Sequence, residues 1–262
     1  MARIAGVVGY DMENIGDNNA SPLLYFKFPY GTKLYTLYDF GSAVDEEFVI
    51  VGGGGLLGGL DGTINRVQAL MRGRREHQCF IAWGLGLHRH GSAAIDLPEA
   101  KPWYIDEFEL FGTRDDLPLR RWVPCASCMH PRFDTAPEPV HDVVIYSHKS
   151  IALDVHLMGA PRRRSDTNDF PSLESALDFL ASGAVIITNS YHGAYWGTLL
   201  GRKVIVVDPW STKFTHMRHP PALVAAADWE AAIDRAQIYE GALEECREAN
   251  ISFHSDVLNL MA

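Results

Sequence analysis

The sequence predicts an α/β protein built on parallel β-sheets. Six short apolar runs, each bounded by glycine or polar residues, recur at positions 4–8, 48–51, 79–83, 143–146, 185–188 and 204–207. Their apolar character is nearly continuous rather than alternating, which is typical of strands that helices cover on both faces. The stretches between the runs are long enough for helical crossovers. The runs are therefore predicted to be buried parallel strands.

The six runs fall into two sets, separated by a segment without apolar periodicity. Residues 134–141 contain two prolines, which predicts a linker. We therefore expect two doubly wound domains, an N-terminal one at 1–138 and a C-terminal one at 139–262. The second should end in a helix, because residues 229–246 are rich in Ala, Glu and Leu. Ligands are expected at the carboxyl ends of the strands and in the cleft between the domains.

Composition and charge exclude several classes of protein. The 262-residue chain is 47% hydrophobic and 21% charged, as is typical of a globular enzyme. Its formal net charge of -10 argues against nucleic acid or anionic lipid as a partner. The one basic cluster, at 162–164, is interpreted as a solvated loop, with an anion pocket as the alternative. Because four cysteines make no disulfide framework and no apolar stretch suits a secretory segment or a membrane span, we expect a cytoplasmic protein.

A glycine-rich run follows the second predicted strand. In residues 52–59 the missing β-carbons let backbone N–H groups approach a ligand at a helix N-terminus, so Gly53, Gly54 and Gly55 are candidate anion-binding residues. The run satisfies G-x-G-x-x-G, but the next strand offers no acidic residue for a ribose hydroxyl, which argues against a nicotinamide cofactor. The Gly-Lys-Ser/Thr ending of an ATP-binding loop is missing too. Tight packing of a strand against its helix is the alternative.

A histidine stands at the predicted start of a helix after the fifth strand. His192 could donate to a phosphate there or act as a general acid or base, and Ser190 with the N–H groups of the first turn could help to hold an anion. A structural histidine is the alternative. The segment lacks the glycines of a G-x-S-x-G nucleophile elbow, so Ser190 is not predicted to be a hydrolase nucleophile. Tyr195 and Trp196 on the helix are expected in the core.

Lys213 and Trp210 follow the sixth predicted strand. Lys213 is a compact positive charge suited to a phosphate or a carboxylate. Trp210 could stack on a sugar, with plain packing as the alternative. Both are expected at the carboxyl edge of the sheet, because they follow the strand directly.

Loop residues of the first half supply further candidates. Asn14 and Asp17 follow the first strand, and Asp17 could orient a sugar hydroxyl or accept its proton. Arg114 could form a bidentate contact with a carboxylate, although an internal contact with Asp115 is an equal alternative. Arg89, just past the third strand in the segment 88–90, is a second-tier candidate.

Cys125 and Cys128 form a Cys-x-x-Cys pair that invites a metal or redox interpretation. A structural zinc site needs a second ligand pair at recognisable spacing, and the sequence contains none. A thioredoxin-like motif is expected near the first βαβ unit, not midway along the chain. We therefore predict no metal and interpret the pair as packing or substrate-loop cysteines.

Taken in order along the chain, these segments form one pattern that spans residues 14–213. Its motifs are Asn14-x-Gly16-Asp17, Gly52-Gly53-Gly54-Gly55-Leu56, Gly84-x-Gly86, Arg114-Asp115, Ser190-x-His192-Gly193, Gly201-x-Lys203-Val204 and Lys213. The pattern resembles the polysaccharide pyruvyl transferase family. The resemblance implies two Rossmann-like domains in a GT-B-type arrangement, with phosphoenolpyruvate or a related anionic donor in the cleft.

The resemblance also implies a reaction, within surface or exopolysaccharide biosynthesis. In family members that add pyruvate ketals, the enol carbon is protonated, two sugar hydroxyls add and phosphate leaves. Carried onto this chain, the family chemistry implies that His192 is the acid or a phosphate contact and Asp17 a base, with Arg114 and Lys213 as anion partners. A phosphorylated small-molecule donor and a saccharide acceptor follow, with no cofactor; homo-oligomer formation stays open.

The chain departs from the family pattern next to the histidine. The family commonly reads Ser-Arg-x-His-Gly, whereas residues 189–193 contain no arginine. Arg89, Lys149 or an arginine of 162–164 is a candidate replacement for this contact to the donor carboxylate. The departure keeps two alternatives open. One is a GT-B-type glycosyltransferase that holds a nucleotide sugar at a helix N-terminus; the other is a non-catalytic sugar- or partner-binding relative.

Overall fold

The structure is a computed structural model that describes residues 3–8, 14–36, 45–57, 62–88, 91, 103–118, 120–151, 153, 154 and 164–262. Within these ranges the chain folds as α/β with two sheets, and every paired strand is parallel to its neighbour. This confirms the predicted fold class and is consistent with Rossmann-like domains.

The first sheet has six strands in the order β2-β1-β3-β4-β5-β6. They are β1 (Arg3–Val8), β2 (Gly31–Thr36), β3 (Phe48–Gly52), β4 (Cys79–Leu85), β5 (Leu110–Thr113) and β6 (Arg121–Trp122). The second sheet has five strands in the order β11-β10-β9-β7-β8. They are β7 (His141–Ser147), β8 (Arg164–Thr167), β9 (Gly183–Thr188), β10 (Lys203–Val207) and β11 (Ala222–Val224). All six predicted strands are confirmed.

Six α-helices and several short 3-10 helices accompany the sheets in the described part of the chain. The α-helices are α1 (Ile15–Asn18), α2 (Gly62–Arg72), α3 (Leu173–Ala181), α4 (Tyr191–Leu199), α5 (Trp229–Ala232) and α6 (Ala242–Met261). The 3-10 helices are Pro22–Leu24, Trp103–Glu107, Ala126–Met129, Pro131–Thr135, Thr212–Phe214 and Ala226–Asp228. None of the described helices is long and apolar enough to cross a membrane.

The two sheets share one strand order. Counted from the first strand of each, both follow 2-1-3-4-5, and β6 extends the edge of the first sheet. In this doubly wound order the connections leave in opposite directions from the first and third strands, so a crevice opens at their carboxyl ends. The topology therefore predicts ligand-binding loops after β1 and β3 in one sheet and after β7 and β9 in the other.

Successive residues of the central strands face opposite sides of the first sheet. On β3, Val49 and Val51 join a core cluster with α2, whereas Phe48 and Ile50 join a cluster with Phe253 of α6. Both faces are thus covered by helix, which explains why the strand is apolar throughout.

The C-terminal helix crosses back to the first sheet. Phe253 and Val257 of α6 pack in the cluster that contains Trp83 of β4, and the Trp83 indole Nε1 donates to Asn250 Oδ1 at 2.8 Å. The predicted helix at 229–246 is interrupted, because α5 ends at Ala232 and a left-handed glycine precedes α6. The domain boundary at 138 and 139 stays a prediction.

Candidate functional site

Polar side chains gather where strands of both sheets end. The second sheet contributes Ser190 and His192 after β9 and Lys213 after β10, while the first contributes residues 14–17 after β1 and Arg114 after β5. These candidates come together where the carboxyl ends of strands from both sheets meet, which we call the meeting edge. Arg89 lies outside the described residues.

Side-chain hydrogen bonds fix the turn between β9 and α4. The Thr188 hydroxyl donates to the carbonyl of Tyr146 at 2.6 Å and accepts the N–H of Ser190 at 2.9 Å. Ser190 is the N-cap of α4, and its Oγ accepts the N–H of Gly193 at 3.5 Å. Because Ser190 serves its own helix, the structure gives it a capping role; anion binding by Ser190 stays a prediction.

His192 is enclosed between the two halves of the chain. Its side chain is 5% exposed, and a β-carbon on Gly16 would overlap the ring at Nδ1, so only glycine fits opposite the imidazole. On the other side, Nε2 lies 3.6 Å from the sulfur of Cys125. Burial, followed by the charges of Arg114 and Lys213, lowers the pKa of His192 well below its usual value. The imidazole is therefore neutral near pH 7.

Helix α1 presents the acidic candidate to this edge. Asn14 caps the helix by accepting the N–H of Gly16 at 3.1 Å, and its amide donates to Asp17 Oδ2 at 3.2 Å. The N–H of Ile15 donates to the carbonyl of Asn168, which ties α1 to the second sheet. Asp17 is partly exposed, and its charge acts on Lys213. Both predicted residues thus lie at the meeting edge.

Arg114 is a buried cation that forms no ion pair with a described residue. It is 4% exposed, its Nε has no hydrogen-bond partner, and none of the ion pairs among the described residues includes it. The guanidinium carbon lies 3.6 Å from the ring centroid of Tyr191, on α4. A β-carbon on Gly86 would overlap Nε, so the missing side chain at Gly86 makes room for the arginine. Arg114 therefore spans from the first sheet to the residue next to His192.

The alternative of an internal Arg114–Asp115 contact is not realised as an ion pair. Asp115 instead accepts the N–H of Leu87 at 2.5 Å and is buried. Burial raises the pKa of Asp115 to about 6, although the charge of Arg114 and the bond from Leu87 oppose the rise. The carboxyl is therefore largely ionised at pH 7 and acts on Arg114 through its charge rather than through a direct ion pair.

Lys213 is a second buried cation, 7% exposed, on the 3-10 helix Thr212–Phe214. Its Nζ lies 3.9 Å from the ring centroid of Trp210, and no ion pair of the described residues includes it. Burial and the charge of Arg114 lower the pKa of Lys213 to about 7, although the charge of Asp17 opposes the shift. The charge of Arg114 thus disfavours the charged form of Lys213.

Trp210 is held in place by partners from three segments. Its Nε1 donates to the carbonyl of Asn189 at 3.0 Å, and the rings of His88 and His148 meet it edge to face at 5.6 and 5.3 Å. The fixed indole ring therefore packs against the side chain of Lys213. Stacking on a sugar stays a prediction.

The described part of the glycine run makes close packing contacts, as the packing alternative expects. Gly53 and Gly54 adopt positive φ of 72° and 92°, and a β-carbon on Gly53 would overlap Ala20, so Gly53 is a site of backbone packing. Gly55 packs against His88, and the next described helix begins only at Gly62. Within the described residues the run does not lead directly into a helix; anion binding there is untested.

The other basic candidates lie elsewhere or remain undescribed. Arg164 is exposed and lies over the ring of Phe179 at 5.2 Å, and Lys149 donates its backbone N–H to Asn168 Oδ1. Residues 162 and 163 lie outside the described ranges. Of the cations described, Arg114 is the one that reaches the residue beside His192.

Sequence reasoning missed two contacts of the site. Cys125 was interpreted as a packing or substrate-loop residue, and the structure places its sulfur against His192. Tyr191 received no role, yet it lies under Arg114. No sequence signal predicts either contact, because each joins residues more than 60 positions apart. In the described part of the chain, no cluster of three or more His, Cys, Asp or Glu side chains is suited to a metal ion.

Comparison with known proteins adds no family assignment. No protein-family model matches the chain, and no curated protein matches it significantly.

Proposed function

We propose that this chain is a transferase of the polysaccharide pyruvyl transferase type, which moves a pyruvyl group from phosphoenolpyruvate to a sugar of a surface or exopolysaccharide. The two parallel sheets support a GT-B-type arrangement of two Rossmann-like domains, with the donor in the cleft. The proposal rests on the site and on the resemblance of the sequence motifs.

The observation that carries the proposal is the pair of buried cations. Arg114 and Lys213 are both more than nine-tenths buried, and neither forms an ion pair with a described residue. A buried charge without a partner is costly, so such groups are expected to meet an opposite charge from a ligand. Phosphoenolpyruvate carries a phosphate and a carboxylate close together, which matches two neighbouring cations.

The site also supplies the groups that the reaction needs. Transfer adds a proton to the methylene carbon of the enol, joins two sugar oxygens to the central carbon and releases phosphate. Lys213, with a pKa of about 7, is matched to giving that proton near neutral pH. Asp17 is the candidate base for a hydroxyl proton, and the neutral His192 is suited to donating a hydrogen bond to the phosphate rather than to acting as an imidazolium acid.

Arg114 also offers a solution to the arginine that is missing from residues 189–193. Its guanidinium comes from the first sheet but lies on Tyr191, directly before His192. We infer that it replaces the family arginine as the contact to the donor carboxylate.

A ligand panel tests the donor. Thermal unfolding is followed with phosphoenolpyruvate, with nucleotide sugars and with nucleoside diphosphates, because a ligand at about 100 times its Kd adds about 2.7 kcal/mol to the native state. Stabilisation by phosphoenolpyruvate alone is expected. Stabilisation by a nucleotide or its sugar alone would assign the chain to the glycosyltransferases instead.

A pair of histidine variants tests turnover. His192→Ala is expected to lower pyruvyl transfer to a sugar acceptor at least about 100-fold while the far-UV spectrum is retained. His130→Ala is the matched control, because His130 pairs with Glu174 at 3.2 Å, away from the site, and its loss should leave turnover unchanged. Equal losses in both variants, or full activity in His192→Ala, would contradict the proposal, and binding without any turnover would favour the non-catalytic relative.

A further inference from the structure

A chain of hydrogen bonds links the core of the second half to His192. The indole Nε1 of Trp196 donates to Ser127 Oγ at 2.9 Å. Ser127 Oγ lies 3.2 Å from the sulfur of Cys125, which in turn lies 3.6 Å from Nε2 of His192. Trp196, Ser127 and Cys125 are at most 1% exposed, so each of their protons needs a protein partner.

The direction of the chain follows from the donor at its start. An indole N–H can only donate, so Ser127 Oγ accepts from Trp196. Among the described residues, the hydroxyl proton of Ser127 then has one acceptor within reach, the sulfur of Cys125. With its sulfur accepting, the S–H of Cys125 points to Nε2 of His192. If the hydrogen bonds ran in the opposite direction, Cys125 would donate to Ser127. The buried hydroxyl proton of Ser127 would then have no acceptor among the described residues.

We propose that Cys125 is a positioning residue, whose S–H donates to Nε2 of His192 and so holds the imidazole in the tautomer that carries its proton on Nδ1. The protonated Nδ1 then faces Gly16 and the segment that carries Asp17. Burial raises the pKa of the Cys125 thiol and lowers that of His192, so both partners stay neutral and the thiol keeps the proton that it donates.

The proposal gives His192 a defined chemical character. A neutral imidazole that accepts at Nε2 carries its proton on Nδ1, so Nδ1 can donate a hydrogen bond but cannot act as a base. The consequence for turnover rests on the proposed function, whereas the tautomer does not depend on it.

The tautomer is measured directly on protein labelled with 15N-histidine. Long-range 1H–15N correlation spectra distinguish the two neutral tautomers, and His192→Gln assigns the signals of His192. The wild type is expected to show the Nδ1-protonated form from pH 6 to pH 8. Cys125→Ser keeps a donor and should keep that form, whereas Cys125→Ala removes the donor and should shift the population to the Nε2-protonated form that free histidine prefers.

The spectra also decide against the proposal if it is wrong. An Nε2-protonated His192 in the wild type, or an unchanged tautomer in Cys125→Ala, would overturn it. If Cys125→Ala does not fold, Ser127→Ala tests the same chain one step earlier, because it removes the hydroxyl that directs the thiol. Since these spectra require no substrate, their outcome stands even if phosphoenolpyruvate proves not to be the donor.

Turnover adds a second readout. Cys125→Ala is expected to lower kcat about tenfold or more with little change in KM, as is seen when a supporting partner of a functional histidine is lost. Cys125→Ser should restore kcat to near the wild-type value. Equal losses in both variants would show that the thiol is needed for packing rather than for its donated proton.

Discussion

The cations at the surface of this protein and the cations at the meeting edge of the sheets have opposite surroundings. At the surface, Arg247 holds Asp134 through two contacts of 2.6 and 3.1 Å, and Arg218 reaches Glu245 at 2.8 Å. At the meeting edge, Arg114 and Lys213 are buried and form no such pair with a described residue. The chain contains 33 acidic residues, so carboxylates are available in the sequence to pair with its cations. This difference supports the proposal that the buried pair binds an anion from outside.

The largest expected effect follows the removal of the buried guanidinium. Arg114→Met keeps an extended side chain over Tyr191 but deletes the charge. Its loss should weaken phosphoenolpyruvate and sulfate binding about 100-fold, the equivalent of two charge-assisted hydrogen bonds. Because an unpaired buried charge is removed, the free energy of unfolding without ligand should rise by about 1 kcal/mol. Calorimetric titration and denaturant unfolding measure the two quantities.

Gly86→Ala tests whether anion binding depends on the position of the Arg114 charge and not only on its presence. The added β-carbon would overlap Nε of Arg114, so the guanidinium must move while the charge stays in the chain. Weaker binding in Gly86→Ala supports a built site. Wild-type affinity in both variants would remove Arg114 from the site, and a less stable Arg114→Met would show that the guanidinium mainly supports packing.

The sequence predicted the buried strands better than the edges. Six of the seven interior strands could be read from apolar runs because both of their faces are covered; the short interior strand β5 was not predicted. The edge strands β2 and β8 were not predicted, because they are largely exposed and their sequences, such as Arg-Ser-Asp-Thr in β8, lack an apolar pattern. Backbone pairing with a neighbour holds such strands, and that pairing is not visible in the sequence.

The candidate site was predictable residue by residue but not as an arrangement. Strand ends identified His192, Lys213, Arg114 and Asp17, because loops after parallel strands meet at one edge. That Arg114 and Lys213 form no ion pair with a described residue could not be predicted, since it depends on what the fold places around them. The contact between the Cys125 thiol and His192 could not be predicted either. A Cys-x-x-Cys spacing carries no information about a contact with a residue far along the chain.

The next effect in size is a pH dependence of anion binding. The pKa of Lys213 is about 7 without ligand, so its charge is present below pH 7 and is lost as the pH rises. Affinity for sulfate, which keeps its charge throughout this range, should fall about tenfold between pH 6 and pH 8, in proportion to the protonated fraction of Lys213. Calorimetric titration across this range measures the change.

Lys213→Arg is the control for this pH dependence, because an arginine stays charged. Asp115, with a pKa of about 6, also gains charge as the pH rises, but it is present in both proteins. The difference between the two curves therefore belongs to Lys213. Parallel curves would show that Lys213 does not titrate in the site or does not meet the anion.

The smallest expected effect comes from opening a surface pair. Asp134→Ala removes the carboxylate from Arg247, and water replaces it, so the free energy of unfolding should fall by at most about 1 kcal/mol and by less in high salt. Anion affinity, measured by the same titration, should not change, because the guanidinium of Arg247 is paired with a carboxylate in the wild type and is not proposed to bind the anion. If Asp134→Ala instead altered sulfate binding as much as Arg114→Met, the general field of the protein would explain anion binding. Unchanged binding in Asp134→Ala, together with its loss in Arg114→Met, would locate the anion at the meeting edge of the two sheets.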